Sequence, residues 1–297
     1  MERRDFIKRG VITIIGLGFS GIFKGRNKGS LFAEEGFSEI AVARGGSVKD
    51  LTARAVNGLG GMAKFVKKGS KVVIKPNIAW NRVPEKAATT HPEVVAALVT
   101  LCRECGAGEV VVTDNPCNPW NATCVTSGIK EAAEKAGAIV NTPLKFKKVT
   151  IPGAQVLKEA EVLEDVLNAD MVINVPVVKV HGGARVTIAM KNLMGVVRDR
   201  GFFHRTDLHL CIAEISRYVR PGLTVLDATR ILLTKGPQGD GEIKQTGIVA
   251  AGTDFVALDA YGSGLLGIDP QSVRHITIAS SMKLGIADMA KVKIKNV

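Results

Sequence analysis

Short apolar runs alternate with amphipathic segments along the chain from residue 38 onwards. The runs are rich in valine, isoleucine and alanine and stop at polar or turn-forming residues, which is typical of buried strands. They predict strands over residues 38–44, 71–77, 109–115, 138–140, 170–179, 224–230 and 247–254. The segments between them repeat apolar positions every three or four residues, as helices do. They predict helices over residues 47–67, 92–105, 127–136, 158–167, 254–266 and 273–284.

This alternation of strands and helices indicates an α/β fold. Near-continuous apolar strands are buried on both faces, so we expect a mostly parallel sheet with helices on both faces. No internal repeat or long linker divides the chain, which predicts a single large domain over residues 38–290. The segment from Val186 to Asp207 is rich in charge and glycine, and we expect it to be an insertion over the edge of the sheet.

Residues 1–33 have the three parts of a signal peptide: a basic start, a 13-residue apolar stretch and a polar end at Ala33. The pair Arg3 and Arg4 resembles the twin-arginine consensus. It predicts a twin-arginine translocase as partner, export in the folded state and a periplasmic or other extracytoplasmic location. Thirteen residues fall short of the roughly 20 that cross a bilayer, so no permanent membrane span is expected. The alternative is an ordinary N-terminal helix.

The net charge is +12, and residues outside the leader keep 33 basic against 26 acidic side chains, or +7. This excess favours acidic partners. The basic residues are scattered and aromatic residues are only 5% of the chain, so neither feature favours a nucleic-acid partner. A small anionic ligand is the expected occupant of any site.

The predicted strands end in polar residues, and ligands of open parallel sheets bind beyond the carboxyl ends of the strands. Strand-end residues include Arg44, Thr253 and Asp254, and those that we expect to bind an anion are Lys75, Asn77, Thr90, Asp114, Thr187, Lys191 and Asn192. Lys179 and His181 close the long strand, and His91 stands at a helix start. We expect these three to be catalytic, with histidine transferring protons because imidazole titrates near neutral pH.

Two further features have a structural interpretation as an alternative to a functional one. Asp259 lies among apolar residues of a predicted helix, where a structural acid bonded to a neighbouring loop is favoured over a catalytic one. The glycine-rich GPQGDG run at residues 236–241 does not join a strand directly to a helix, so it is not a P-loop. We expect it to be a mobile loop over the site.

Five cysteines raise the possibility of an iron–sulfur cluster, but their positions disfavour a single four-cysteine cluster. Cys102 and Cys105 end a helix of 14 residues, which advances about 21 Å from the ligand edge. Cys117 and Cys124 follow a strand that returns to that edge. Cys102 and Cys105 either pair or simply pack, whereas Cys117 and Cys124 either form a disulfide or bind a metal near the site.

The domain resembles the family called domain of unknown function 362. The matching stretches are KPN at 75–77, THPEVV at 90–95, SGI at 127–129, ADMVINVPVVKVH at 169–181, TIAMKNLMG at 187–195, LTVLD at 223–227, KGPQGDG at 235–241 and AGTDFVALDA at 251–260. One departure is Val177, where the family usually has a lysine. The resemblance implies an α/β fold, and the family's frequent ferredoxin-type modules imply redox work and a possible ferredoxin-type redox partner.

Three functions compete on these grounds. The leading hypothesis is an exported, redox-linked enzyme or cofactor protein that holds an anionic ligand, with an iron–sulfur cluster or another redox cofactor loaded before export. The second is a cofactor-free lyase, isomerase or racemase acting on a small carboxylate, in which lysines clamp and histidine abstracts a proton. The third is a noncatalytic protein that binds an anionic metabolite.

Overall fold

A computed structural model describes residues 38–297 of the chain. The predicted signal peptide lies outside these residues. Over the described range, no helix combines the length and the apolar character that crossing a membrane requires.

The described chain alternates strands and helices from end to end. The strands are β1 (Ser38–Arg44), β2 (Lys71–Pro76), β3 (Glu109–Val112), β4 (Ile139–Val140), β5 (Phe146–Thr150), β6 (Glu159–Leu163), β7 (Met171–Val175), β8 (Val177–His181), β9 (Arg185–Thr187), β10 (Leu223–Leu232), β11 (Ile243–Gly252) and β12 (Val292–Asn296). The helices are α1 (Val48–Gly58), α2 (Pro92–Glu104), α3 (Trp120–Thr126), α4 (Ile129–Lys135), α5 (Glu164–Leu167), α6 (Ala189–Asn192), α7 (Gly201–Arg205), α8 (Leu208–Tyr218), α9 (Phe255–Leu265) and α10 (Arg274–Ser281).

The main sheet has the order β12-β1-β11-β10-β7-β2-β3-β4, with β8 pairing β10 and β9 pairing β8. Neighbours from β10 to β4 are parallel, and so are β1 and β12, whereas β11 is antiparallel to both β1 and β10. The prediction of an α/β fold with a mostly parallel sheet is confirmed.

Helices cover both faces of this sheet because alternate strand residues bury apolar side chains on opposite sides. One core cluster joins the sheet to α1, α2 and α4, with Leu51, Leu98 and Ile129 fully buried or nearly so. The other joins it to α8, α9 and α10, through residues such as Ile212 and Leu258. The strands are therefore held between two apolar layers, and their polar ends are left at the edges.

The predicted strand over residues 170–179 is two strands, β7 and β8, separated at Pro176. Proline has no amide hydrogen to donate to a ladder. After this break β8 pairs β10 in parallel and turns back through β9 as an antiparallel hairpin. The beginning of the predicted 186–207 insertion is thus part of the sheet, and it brings Lys179 and Thr187 opposite one another.

Two predicted elements were wrong. Residues 159–163 form β6 instead of a helix, because Glu159 to Val162 alternate exposed and buried positions with the period of a strand. The predicted helix over residues 47–67 ends at Gly58.

The direction of β11 also corrects a predicted position. Gly252, at its carboxyl end, pairs with Ile40 and Thr224 near the starts of β1 and β10. Thr253 and Asp254 therefore lie at the edge of the sheet opposite to the ends of the parallel strands. Asp254 caps α9 there through the amides of Val256 and Ala257.

Candidate functional site

A cavity of about 420 Å³ lies where β2, β3 and β8 end. The residues that line it are Lys75, Asn77, Ala79, Trp80, Asp114, Asn115, Cys117, Lys179, His181, Thr187, Lys191, Asn192, Met194, Gly195, Arg200, Gly201, His204, Pro237 and Gln238. The set holds several cationic or imidazole side chains but only one acid, Asp114. Its chemistry depends on which of these polar groups are already bonded to protein.

One group of residues, which we call the saturated floor, consists of Lys75, Asn77, Asp114 and Asn192, which line the cavity, and of Asn174, which bonds to Asn192. The Lys75 ammonium lies 2.7 Å from Asp114 Oδ1 and donates to Pro76 O at 2.8 Å and to Asn192 Oδ1 at 2.9 Å. Two N–H groups of the ammonium make hydrogen bonds, and the third position is taken by the ion pair with Asp114. Burial lowers the pKa of Lys75, and the Asp114 carboxylate opposes that shift. Lys75 therefore has neither a free donor nor an uncompensated charge to offer an anion.

The amides of the saturated floor are used up in the same way. Asn192 Oδ1 also accepts from Asn77 Nδ2 at 3.0 Å, and Asn192 Nδ2 donates to Asn174 Oδ1 at 2.9 Å. Gly195 packs so closely against this group that a Cβ there would overlap Asp114 Oδ1 and Lys75 Nζ. The network fixes β2 against the residues that follow β9, and its polar groups are bonded mainly to one another.

A second group of lining residues, which we call the open wall, consists of Lys179, His181, Thr187 and Lys191. Lys179 and His181 are two residues apart on β8 and so point to the same face. Thr187 lies directly opposite Lys179 in the β8–β9 hairpin, which places the two side chains on one face as neighbours. Lys191 follows on α6.

Lys179 is 1% exposed, and no carboxylate of residues 38–297 lies within ion-pair distance of it. Its ammonium nitrogen donates to Ala88 O and, at 3.3 Å, to Asn77 Oδ1. Burial, followed by repulsion from the Lys191 ammonium, lowers the pKa of Lys179 to about 7. Two of its three bonding positions are used by the protein, and the third remains for the cavity.

His181 faces the cavity as a neutral ring. Its Nδ1 accepts hydrogen bonds from the amides of Gly183 and Ala184, both at 3.1 Å. The proton must therefore sit on Nε2. Burial and the neighbouring Lys191 and Lys179 lower the pKa of His181 to about 3. This geometry leaves the Nε2–H group of His181 as a hydrogen-bond donor, and its expected part in proton transfer stays a prediction.

Lys191 and Thr187 complete the open wall. Within residues 38–297, Lys191 has neither a hydrogen-bond nor an ion-pair partner, and burial lowers its pKa to about 8. Lys191 lies on α6, and the first two amides of this helix, those of Ala189 and Met190, donate to the carboxylate of Asp259. Burial raises the pKa of Asp259 to about 8. The structure thus gives Asp259 the structural bonding that we favoured, at the start of the helix that presents Lys191.

The sequence analysis missed three side chains of the cavity. Arg200 donates to Cys117 Sγ at 3.2 Å and to Pro116 O, so its charge has no acidic partner there. Trp80 and His204 also line the cavity. All three lie in loops or short helices beyond strand ends, where periodicity gives no signal. The basic residue density around Arg198 and Arg200 was the one available hint.

Three of the predicted site residues are not among those that line the cavity. Thr90 Oγ1 accepts a hydrogen bond from Asn77 N and donates one to Val175 O. His91 caps α2 by accepting from Glu93 N, and its own amide donates to Asp227. Cys124 is buried in α3. The predicted functional roles of all the site residues, inside the cavity or outside it, stay predictions.

The glycine-rich loop lies over the cavity, to which it contributes Pro237 and Gln238. Gly236 lets this loop approach β8, because a Cβ there would overlap Val180 O. Outside the cavity, Lys86 holds the loop through an ion pair of 2.7 Å with Asp240.

The cysteines do not fit an iron–sulfur cluster. All five are free thiols: Cys102, Cys124 and Cys211 are buried, Cys105 is half-buried and Cys117 is exposed. Over residues 38–297, no three His, Cys, Asp or Glu side chains come together as a metal site would require. Cys117 lines the cavity and Cys124 does not.

Comparison with known proteins gives a shared fold and one related sequence. The lactate racemase apoprotein of Thermoanaerobacterium thermosaccharolyticum superposes with a TM-score of 0.50 at 9% identity, over 76% of this chain and 56% of that one. A Thermotoga maritima protein superposes with a TM-score of 0.41 at 13% identity, over 79% of this chain and 58% of that one. The chain thus spans less than two thirds of either solved chain, and the likeness to the racemase is one of fold alone.

The related sequence is thylakoid-associated protein sll1697 of Synechocystis sp. It is 28% identical over 243 residues, which are 77% of this chain and 72% of that protein. The model of the family described as "Domain of unknown function (DUF362)" matches residues 72–264. The resemblance found in the sequence motifs is therefore confirmed, and the chain belongs to this family.

Proposed function

We propose that the chain binds a small carboxylate in this cavity and transfers a proton at a carbon next to the carboxylate or to an adjoining carbonyl. The activity is that of an isomerase, racemase or lyase. The observation that carries the proposal is Lys179, a buried amine whose pKa is lowered to about 7 and which faces a cavity with no free carboxylate. Catalytic bases work best when their pKa lies near the operating pH.

The open wall supplies the charge that holds the substrate. The ammonium of Lys191 has no partner in the described chain, and the Arg200 guanidinium bonds only neutral or sulfur acceptors. The one acid in the lining, Asp114, is already paired with Lys75. A carboxylate that enters this space gains charge-assisted hydrogen bonds without displacing an existing ion pair.

Lys179 acts as the base from its neutral form. Its two N–H groups stay bonded to Ala88 O and Asn77 Oδ1, which leaves the nitrogen lone pair directed to the cavity. The substrate C–H bond breaks, its proton goes to Lys179 Nζ, and its electron pair moves into the adjoining carbonyl or carboxylate. Return of the proton to either face of the same carbon, or loss of a leaving group, completes the reaction.

His181 and Lys191 stabilise the negative charge that develops on the substrate oxygen. A neutral imidazole whose Nε2–H is fixed by two amides on Nδ1 is a preorganised donor for such an oxyanion. An amine with a pKa near 7 is a weak base for a carbon acid, so this stabilisation is essential to the proposal. The combination also assigns the proton to lysine instead of histidine.

The other hypotheses stay open to direct tests. The ferredoxin-type modules that often accompany this family predict a redox cofactor. Metal analysis and the absorption spectrum of the purified protein check this prediction. We also propose export by the twin-arginine route, which predicts that changing Arg3 and Arg4 to lysine retains the protein in the cytoplasm. A protein named lactate racemase has a similar fold, so the fold is compatible with chemistry on a small carboxylate.

Solvent-proton exchange tests the proposed function. The protein is incubated in D₂O with a panel of small 2-oxo and 2-hydroxy carboxylates, and deuterium at carbon is followed by NMR. The wild-type chain exchanges at least one substrate, and Lys179→Met slows exchange by about 10² to 10⁴-fold, the usual contribution of a general base. The control is Lys148→Met, which removes an exposed lysine of β5 that pairs with Glu159.

A Lys179→Met variant that exchanges at the wild-type rate refutes the role of this lysine. Ligand-dependent thermal stabilisation without exchange for any acid of the panel supports the noncatalytic binding protein instead.

A further inference from the structure

Thr187 carries a buried hydroxyl with no protein partner. The residue is 4% exposed and is one of those that line the cavity, and its Oγ1 makes no hydrogen bond within residues 38–297. A buried polar group that loses water without gaining a partner is costly, so native proteins rarely leave one unpaired without a reason. The position of this hydroxyl points to a ligand as its missing partner.

The kind of group that pairs with Thr187 follows from its neighbours on the open wall. Lys191 and His181 present N–H groups, which bind the acceptor oxygens of an anion. Asp114 Oδ2 and Asn77 Oδ1 accept from backbone amides and from Lys179, whereas Asp114 Oδ1 is held in the ion pair with Lys75 and accepts no hydrogen bond over residues 38–297. Thr187 Oγ1 brings an unused acceptor to a wall of donors, and a hydroxyl hydrogen on the ligand is its natural complement.

The hairpin register places this hydroxyl beside the proposed base. Thr187 and Lys179 are directly paired residues of β9 and β8, and such side chains have Cβ atoms about 4.5–5.5 Å apart. A ligand hydroxyl that donates to Thr187 is therefore held on the same face of the β8–β9 hairpin as Lys179. We infer that Thr187 is a specificity residue that recognises a hydroxyl group, so that the substrate is a small hydroxy acid. This inference rests on the proposed function and names its substrate class.

Isosteric removal of the hydroxyl gives two effects of opposite sign. Thr187→Val removes an unpaired buried hydroxyl, so the ligand-free variant melts about 2 °C higher than wild type. The same change removes the partner of the ligand hydroxyl and weakens hydroxy-acid binding about tenfold. Thr187→Ser keeps the hydroxyl and retains wild-type binding. A residue with a purely structural role does not raise stability and lower affinity together.

Thr224 provides a matched control within the same chain. It is 1% exposed, its Oγ1 also lacks a partner, and it lies on β10 outside the cavity lining. Thr224→Val is expected to raise the melting temperature in the same direction and to leave ligand binding unchanged.

Binding is measured by calorimetry with acids that differ in one hydroxyl: glycolate against acetate, lactate against propionate, and malate against succinate. Wild type is expected to bind at least one hydroxy acid about tenfold more tightly than its deoxy partner, and Thr187→Val to lose that preference. The inference fails if wild type shows no hydroxyl preference, if it binds none of the six acids, or if Thr187→Val keeps the preference.

The measurement needs no turnover, so the two proposals fail separately. Hydroxyl-selective binding without deuterium exchange leaves this inference standing and removes the proposed reaction. Exchange that is equally fast for hydroxylated and deoxy substrates does the reverse.

Discussion

The saturated floor and the open wall line the same cavity, and each contains a buried lysine. On the floor, Lys75 makes hydrogen bonds to Pro76 and Asn192 and an ion pair with Asp114. On the wall, Lys191 has no partner within residues 38–297, and Lys179 bonds only neutral oxygens. The difference shows that a buried lysine at a strand end is not in itself a ligand group. What remains unbonded decides which lysine serves the fold and which serves a ligand.

The largest expected effect comes from breaking the floor. Asp114→Asn leaves the Lys75 ammonium without its counter-charge in a fully buried position, which lowers the free energy of unfolding by about 3–5 kcal/mol. Urea unfolding measures the loss. The control is Asp240→Asn, which removes an exposed carboxylate paired with Lys86 and is expected to leave the unfolding midpoint near that of wild type. An Asp114→Asn protein as stable as wild type would mean that the floor is not a structural unit.

A second, smaller effect is expected from the wall. Lys191→Met removes an unpaired cation and weakens binding of inorganic phosphate or oxalate about tenfold, the range of one charge-assisted hydrogen bond. Stability is expected to stay level or rise, since no protein contact is lost and a partly desolvated charge disappears. Calorimetry and urea unfolding on the same samples separate this outcome from that of Asp114→Asn. Unchanged anion affinity would place the ligand elsewhere.

The pH dependence of catalysis sharpens the comparison with the smallest change. Lys179 acts as a base only when it is neutral, so kcat/KM rises with pH through its pKa of about 7. Lys191 holds the substrate only when it is charged, so kcat/KM falls as pH rises through about 8. The expected profile is a narrow bell between these values. A profile governed by His181 would instead change near pH 3, the pKa to which burial lowers that ring.

Much of the fold could be predicted because its strands have a clear pattern of apolar residues. The runs that became β2, β3 and the β7–β8 segment are mostly apolar, and their polar ends placed Lys75, Asp114 and Lys179 at one edge. The motifs around Lys179 and Lys191 identified the family as well. Since parallel strands end at a common edge, the approximate location of the cavity followed from the pattern alone.

The remainder depended on contacts that no local pattern encodes. The antiparallel pairing of β11 with β10 is set by tertiary packing, and it moved Asp254 to the opposite edge. Lys75 and His91 make hydrogen bonds to residues distant in sequence, Asn192 and Asp227, which no local pattern indicates. Arg200 reaches the cavity from a loop whose path the sequence does not fix. Sequence periodicity therefore does not show which polar groups of a site are already hydrogen-bonded to the protein.

The most direct test of the account is the titration of Lys179 itself. Lysine labelled with ¹³C at Cε is followed by NMR from pH 5 to 11, with Lys179→Met to assign its signal. We predict a midpoint near pH 7 for the free protein, and a higher midpoint with bound oxalate, because a neighbouring anion favours the ammonium form. An ordinary lysine midpoint near 10.5 that oxalate does not move would contradict the claim that the open wall holds an anion beside a neutral-pH base.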